Sequence, residues 1–173
     1  AENIIWAAGV SANPLTRKLG VELDRASRVK VQPDLSLPEH PEVFAIGDLA
    51  LVFDVEGRPV PGVSPAAMQM ARHVAQIIED ELWSTGRQTG TRSVFRYWDK
   101  GTMATIGRSA AVAKVGRMEI DGFLAWVAWL FVHLIFLVGF RNKLAVLLQW
   151  AYSYCSYKRG ARIVTGIGNP KPQ

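Results

Sequence analysis

The chain has 173 residues, of which 49% are hydrophobic and 20% are charged, and its mean hydropathy is +0.10. This composition suits one sizeable domain with its own core, and it excludes a disordered tail, a collagen-like chain and a disulfide scaffold. The single cysteine, Cys155, excludes an internal disulfide, a Cys-rich metal site and a dithiol redox pair within these residues.

The net charge of +5 is unevenly distributed along the chain. Residues 1–121 carry 14 Lys and Arg against 15 Asp and Glu, whereas residues 122–173 carry six basic residues and no acidic one. The basic excess therefore coincides with a hydrophobic segment, which favours an anionic lipid surface as a partner. The sequence has no basic stripe interleaved with surface aromatic residues, so nucleic acid is not an expected partner.

The first half of the chain alternates short apolar runs with turn signals. Short strands are predicted at residues 4–8, 29–31 and 43–46, and a helical turn at residues 15–19. Asn13-Pro14 favours the start of that turn and Gly20 its end. Because the chain opens directly on an apolar strand, we expect it to be the C-terminal part of a longer protein.

A longer helix is predicted to follow. Ser64 suits its N-cap, and Pro65 suits the first helical position, where a missing N–H costs nothing. Glycines at positions 86 and 90 are predicted to end it. Apolar residues at spacings of three and four indicate its buried face, namely Ala67, Ala71, Val74, Ile78 and Leu82.

The second half of the chain has a different character. Short strands are predicted between residues 94 and 115, around glycines. Residues 122–140 then form a run of 19 without formal charge, in which His133 is the clearly polar side chain. A helix of that length measures about 28 Å, close to the hydrocarbon core of about 30 Å, so the pattern alone predicts a transmembrane helix. A buried core helix is the alternative.

The motif with most chemical content is Gly47-Asp48, which follows the apolar residues 43–46. A parallel strand would place this pair at its carboxyl end, the edge at which open α/β sheets bind ligands. Gly47 allows close approach of the backbone to a ligand, and Asp48 accepts hydrogen bonds from ligand hydroxyls. An ordinary turn is the alternative for this motif alone.

The start of the following helix supports a ligand site. We expect free N–H groups there, together with the positive end of the helix dipole. A negatively charged ligand group would gain about 0.3–1 kcal/mol at such an end. The alternative is an ordinary capped helix rich in alanine.

The order of these segments resembles two-dinucleotide-binding flavoproteins, at the point where the chain returns from the NAD domain to the FAD domain. The segments that carry this resemblance are residues 4–10, 13–15, 20–23, 29–31 and 43–48. In that family the Asp of the Gly-Asp pair holds the flavin ribitol, and the helix start faces the pyrimidine edge of the isoalloxazine. The small Ala66 and Ala67 would let this flat ring lie close to the backbone. The resemblance thus implies cofactor binding by Gly47, Asp48, Ala66 and Ala67.

The residues that follow resemble one branch of these flavoproteins. The sequence FRYWDKGTMATIGR at residues 95–108, with residues 122–126 and 140–143, closely resembles bacterial type II NADH dehydrogenases. These are single-subunit, non-proton-pumping NADH:quinone oxidoreductases. The resemblance implies an α/β fold, the C-terminal portion of a two-Rossmann FAD/NAD(P)-binding flavoprotein followed by membrane-associated helices. It also implies non-covalent FAD, NADH as hydride donor and a membrane quinone as acceptor.

The same resemblance implies a division of the chain into four parts. Residues 1–8 would end the NAD(H)-binding domain, 9–85 return into the FAD-binding domain, 86–121 form short strands, and 122–173 associate with the membrane. The expected location is the cytoplasmic face of the cell membrane, as a peripheral protein, with a transmembrane span as the alternative and with homodimerisation left open. Aromatic and basic residues suited to a lipid interface are Trp126, Trp129, Trp150, Tyr152, Tyr154, Tyr157, Arg141, Lys143, Lys158, Arg159 and Arg162.

Three residues are candidates for the quinone site. The family often carries Ala-Gln-X-Ala-X-Gln at the start of the flavin-facing helix, and residues 64–69 keep only the second glutamine, Gln69. Its alternative is a surface helix residue. His133, an ionisable group in an apolar segment, is the second candidate, with a neutral ring bonded to a backbone carbonyl as its alternative. Trp129, one helical turn earlier, is the third.

Other functions remain open at this stage. Another two-domain flavoprotein, such as a sulfide:quinone or disulfide reductase, would use cysteine pairs. A non-enzymatic membrane-anchoring module would bind lipid without flavin. The three histidines are too scattered in sequence to predict a metal site.

Overall fold

The computed structural model describes residues 9–83, 92–137 and 139–156, and it is a mixture of helices and short strands. The chain divides into two compact units, Ala1–Asp99 and Lys100–Gln173. Three sets of predicted features lie outside the described residues. They are the strand at residues 4–8, the helix-ending glycines at 86 and 90, and the interface residues Tyr157, Lys158, Arg159 and Arg162.

The first unit opens with the predicted helical turn, a 3-10 helix at Pro14–Leu19. Asn13 caps it, because its side-chain oxygen accepts a hydrogen bond from the Leu15 N–H at 2.9 Å. Gly20 ends it in the left-handed conformation that favours glycine, with φ of 70°. The prediction for this segment is confirmed.

A small parallel sheet gives the first unit its α/β character. Strand β1 (Val29–Lys30) lies where a strand was predicted, and it pairs with strand β2 (Ala50–Leu51), with Val29 opposite Ala50. Both residues of β2 are buried, and Ala50 belongs to the core of the unit.

The predicted parallel strand at residues 43–46 is wrong. Phe44 forms an isolated antiparallel bridge with Ser36, and the flanking main-chain bonds join residues 43–45 to residues 35–37. A tight turn between the two segments folds the apolar run back on its own neighbour. Gly47-Asp48 therefore lies at the amino end of β2 rather than at the carboxyl end of a parallel strand.

Helix α1 (Ser64–Trp83) confirms the predicted helix, but its buried face differs from the prediction. Of the five residues predicted to be buried, only Val74 is, while Ala67 is half-buried and Ala71, Ile78 and Leu82 are exposed. Apolar residues occupy two neighbouring faces of this helix, and packing selects one of them. The face in contact with the core carries Ala66, Met70, Val74 and Ile77, which are packed with residues that include Leu35, Val52, Val60 and Phe95.

One turn occurs twice in the first unit, at residues 24–28 and 54–58. In each copy the aspartate N–H donates to the arginine carbonyl, at 2.9 and 2.8 Å. The aspartate carboxylate accepts hydrogen bonds from the arginine N–H and from the arginine Nε, at 2.8 to 2.9 Å. The residue before the arginine has positive φ, 62° for Ser27 and 77° for Gly57. The two copies thus share geometry and an internal ion pair.

The second unit is an antiparallel meander covered by a helix. Its strands are β3 (Thr102–Thr105), β4 (Ala111–Val115) and β5 (Met118–Asp121), hydrogen-bonded in that order. Strands were predicted in this region. Ala125 of helix α2 (Gly122–Phe136) is fully buried against Ala111 and Ala113 of β4, since three small side chains allow the helix to lie close to the sheet.

The prediction of one helix over residues 122–140 is wrong. Helix α2 ends at Phe136, and helix α3 (Phe140–Cys155) begins after Gly139, which has φ of 85°. Lys143 stabilises the break, because its Nζ donates to the Ile135 carbonyl at 3.0 Å at the negative end of α2. The 15 residues of α2 measure about 22 Å. Within the described residues, no helix is both long enough and apolar enough to cross a membrane.

Candidate functional site

Gly47 brings the turn before β2 against the start of helix α1. Its φ of 68° lies in the left-handed region, and a Cβ on this glycine would lie 3.5 Å from the Ala67 Cβ. The Gly47 N–H donates to the Met70 sulfur at 3.2 Å. The turn and the first two turns of the helix are therefore in direct contact.

The Asp48 carboxylate is exposed and has no hydrogen bond or ion pair with any residue that the structure describes. It lies over Gly62, where an added Cβ would approach Asp48 Oδ1 at 3.2 Å. Gly62 thus provides the space that this carboxylate occupies. An ionised carboxylate in this position is an acceptor available to a ligand.

The expectation of free N–H groups at the start of α1 is wrong for the two alanines. The N–H groups of Ala66 and Ala67 both donate to the Val63 carbonyl, at 3.0 and 3.2 Å. Val63 therefore takes the N-cap position expected of Ser64, and Pro65 has no N–H to offer. What this end can offer a ligand is the dipole of the helix and the small size of its side chains.

One cleft brings together the four residues predicted to bind the cofactor. It has a volume of about 330 Å³, at the lower end of the range for ligand pockets. Its polar lining comes from the turn before β2, the turn before β1 and the segment after residue 9. The residues that line it include Gly47, Asp48, Ala66, Ala67, Gly62 and Arg28.

Sequence reasoning missed Arg28. The Arg28 Nε and Nη2 both contact Asp24 Oδ2 at 2.8 Å, and the side chain of Arg28 is 30% exposed. Burial works to raise the pKa of Asp24, but hydrogen bonds from Arg28 and Ala26 outweigh it and hold the pKa below its ordinary value. The repeated pattern of an aspartate four residues before an arginine was the available signal.

Gln69 makes a two-point contact with the main chain of Trp98. Gln69 Nε2 donates to the Trp98 carbonyl, and Gln69 Oε1 accepts from the Trp98 N–H, both at 3.0 Å. Four residues further along α1, His73 Nε2 lies 3.0 Å from the Ser93 carbonyl and donates to it. The helix therefore holds the segment at residues 92–99 at two places.

Trp129 and His133 are neighbours in the second unit. Their rings stack at 4.0 Å, which confirms that they share one face of α2. His133 Nδ1 lies 2.8 Å from the Trp129 carbonyl, so Nδ1 carries a proton, as in the alternative considered for this residue. Nε2 has no hydrogen-bond partner among the residues that the structure describes. Gln69 belongs to the first unit.

The second unit carries a large exposed apolar surface on its two helices. The ring centroids of Trp129 and Trp150 lie 5.5 Å apart and those of Trp126 and Tyr154 lie 5.6 Å apart, both pairs with tilted planes. These aromatic side chains join α2 to α3. The large apolar side chains of the two helices that remain exposed include Phe123, Leu124, Phe131, Ile135, Phe136, Phe140, Leu144, Leu147, Leu148 and Tyr152. Exposed apolar side chains are thus concentrated on these two helices.

Sequence families match both parts of the chain. The NDH2 C-terminal domain matches residues 99–155, and the pyridine nucleotide-disulphide oxidoreductase family matches residues 1–73. The type II NADH:quinone oxidoreductases Ndh and NdhA of Mycobacterium tuberculosis are 48% and 43% identical to this chain. Each alignment covers 93% of this chain and 34% of the relative, so the chain spans about a third of these relatives' length.

A solved structure supports the fold. The structure of NDH2 from Plasmodium falciparum in complex with NADH matches with a TM-score of 0.66 at 16% identity, over 86% of this chain and 44% of that one. At this identity the match concerns the fold alone. The sequence matches confirm the resemblance to type II NADH dehydrogenases that residues 95–108 indicated.

Proposed function

This chain is related to the type II NADH dehydrogenases, and on that premise we propose that it forms the flavin- and membrane-facing part of an NADH:quinone oxidoreductase. The observation that carries the proposal is the cleft in the first unit, where Gly47, Asp48, Ala66 and Ala67 meet. The match to the NDH2 C-terminal domain favours this function over a sulfide or disulfide reductase.

The residues of the cleft fit FAD as the cofactor. The Asp48 carboxylate is an acceptor without a protein partner in the described structure, as ribityl hydroxyls require. Gly47 has no side chain where it faces Ala67, which leaves a flat ring access to the start of α1. FAD bound here would supply the hydride acceptor for NADH and the source of electrons for the quinone.

In this proposal the start of α1 stabilises negative charge on the bound ring through the helix dipole, without hydrogen bonds from the two alanines. The N–H groups of Ala66 and Ala67 are satisfied by Val63, so the positive end of the dipole carries the effect. A negative charge that develops on a ring near this end is stabilised by about 0.3–1 kcal/mol. The alanine side chains keep the distance short.

The second unit would contact the membrane and the quinone. The exposed apolar side chains of α2 and α3 would enter the lipid interface, and Arg141 and Lys143 would meet anionic headgroups. Trp129 would stack on the quinone ring. His133 Nε2 would accept a hydrogen bond from a quinol hydroxyl when neutral and donate one to a quinone oxygen when protonated. The cytoplasmic face of the cell membrane is the proposed location.

Gln69 remains a proposed quinone contact, with a narrower role. Its amide oxygen and one of its N–H groups already bond Trp98, so the second N–H is the group left for a quinone oxygen. This part alone should be inactive, because the binding sites for both nucleotides would extend beyond it.

The experiment uses the complete protein that contains this chain. Anaerobic addition of NADH should bleach the absorbance of the bound flavin, and a soluble quinone should restore it. Sulfide should do neither. Bleaching by sulfide with no response to NADH would favour the other flavoprotein class, and purified protein without any flavin would favour the anchoring module.

A further inference from the structure

Arg28 and Asp48 are the two charged residues that line the cleft, among the residues that the structure describes. Arg28 precedes β1 by one residue, and Asp48 precedes β2 by two. Because Val29 lies opposite Ala50 in the parallel pair, both side chains start from the same, amino end of the small sheet. Adjacent strands lie about 4.8 Å apart, so the main chains of the two residues lie in one region of the cleft.

Asp24 orients the guanidinium of Arg28 but binds only some of its N–H donors. Asp24 binds its Nε and Nη2, whereas no ion pair joins it to Asp48 within the described structure. A guanidinium has five N–H donors, so the Nη1 edge of Arg28 keeps donors for a ligand. The carboxylate of Asp24 fixes the plane of the group, which lowers the entropy lost when it binds.

The two charges suit two adjacent parts of a dinucleotide. A carboxylate accepts from hydroxyls, and a guanidinium donates to phosphate oxygens, often through two parallel bonds. In FAD the ribityl hydroxyls adjoin the diphosphate. We propose that Arg28 binds the diphosphate of the FAD whose ribityl chain Asp48 holds, an assignment that rests on the flavin function proposed above.

The second copy of the same turn provides a matched control. Arg58 has the same main-chain geometry and the same Nε contact, with Asp54, and its Nη2 pairs with Glu56 at 2.7 Å. It does not line the cleft, and its side chain is 68% exposed. Both arginines therefore have a structural role in their turns. If the same substitution weakens FAD binding at Arg28 and not at Arg58, the difference reports the role of Arg28 in the cleft.

The test compares Arg28→Gln with Arg58→Gln in the complete protein. FAD is titrated into each apoprotein and followed by flavin fluorescence, and ³¹P NMR of the bound FAD reports on the diphosphate directly. Arg28→Gln should raise the Kd for FAD about tenfold or more, because one charge-assisted contact is lost. It should also move the ³¹P resonances, whereas Arg58→Gln should change neither. Arg28→Lys keeps the charge but loses the two parallel N–H donors of the guanidinium, so it should give an intermediate Kd. This variant also tests the proposal if Arg28→Gln does not fold.

Two results would overturn the assignment. Equal Kd values and unchanged ³¹P resonances in both variants, with flavin bound, would confine Arg28 to its turn. A changed flavin absorption spectrum with unmoved ³¹P resonances would place Arg28 at the ring instead. A wild-type protein that binds no flavin at all is a separate outcome, which contradicts the proposed function itself.

Discussion

The side-chain amide of Gln69 bonds both main-chain groups of Trp98, as donor to the carbonyl and as acceptor from the N–H, each at 3.0 Å. This contact ties helix α1 to a segment 29 residues further along the chain. The glutamine therefore has a structural role in addition to any contact with a quinone.

Gln69→Ala should release this segment from α1. Loss of two hydrogen bonds with a partly exposed backbone should lower the free energy of unfolding by about 1–2 kcal/mol. Hydrogen exchange of the Trp98 N–H should accelerate. Gln76→Ala, at an exposed position on the same helix, is the control and should leave both unchanged. An unchanged exchange rate in the Gln69 variant would mean that the contact does not hold the segment.

Arg92 joins several parts of the first unit. It donates to Asp34 at 3.1 Å, to Glu81 at 2.6 Å and to the Pro41 carbonyl at 2.6 Å, and its guanidinium lies 5.0 Å from the Phe44 ring centroid. Replacement by leucine should lower the free energy of unfolding by about 2 kcal/mol, because the half-buried Asp34 loses its cationic partner. Arg72→Leu, at an exposed position on α1, should cost much less. Chemical denaturation measures both.

Asp34 should make the first unit sensitive to acid. Burial works to raise its pKa, but hydrogen bonds from Ser36 and Arg92 outweigh it and hold the pKa below the ordinary value. A carboxyl with a lowered folded pKa stabilises the protein above its unfolded pKa, and this contribution is lost as the pH falls through the folded value. Stability should therefore fall below about pH 4. Asp34→Asn should be less stable near neutral pH and should show a shallower acid limb; identical limbs would contradict this role.

Substitutions at the residue before each arginine of the repeated turn should change stability in opposite directions. Ser27 has φ of 62°, which costs a residue with a side chain about 1 kcal/mol, whereas Gly57 adopts φ of 77° without that cost. Ser27→Gly should raise the free energy of unfolding by about 0.5 kcal/mol after the entropy of glycine is counted. Gly57→Ala should lower it by about 1 kcal/mol. Thermal unfolding of the two variants checks the opposite signs, and changes of the same sign would be inconsistent with shared geometry.

Gly101 should tolerate no side chain. It has φ of 97°, and an added Cβ would overlap the Lys114 carbonyl oxygen and lie 3.0 Å from the Val115 Cα. Gly101→Ala should lower the stability of the second unit by about 3 kcal/mol. Gly107→Ala, at a φ of 73° with open space around it, should cost only about 1 kcal/mol. Comparable losses in the two variants would argue against a close contact at Gly101.

Local signals predicted much of this fold correctly. The Asn13-Pro14 start and the Gly20 end of the first helical turn depend on hydrogen bonds and dihedral angles within a few residues, so the sequence contains them. The end of α2 also depends on nearby residues, but it lies inside a continuous apolar run, so the sequence pattern did not predict it. Gly139, with its positive φ, interrupts the run, and composition alone does not reveal that conformation.

Predictions that depend on tertiary partners were less successful. The apolar residues 43–46 have strand character, but which segment they pair with depends on how the turn before them folds. Helix α1 has two apolar faces, and only the packed core shows that Ala66, Met70 and Ile77 are the buried ones. Arg28 was missed because its role requires knowing that the start of β1 and the start of β2 are neighbours.

The flavin content of an Asp48 variant tests the central claim most directly. The complete protein should contain one FAD per chain, Asp48→Ala should lose most of it during purification, and Glu39→Ala, at an exposed carboxylate outside the cleft, should retain it. Full FAD occupancy in a folded Asp48→Ala protein would contradict the account.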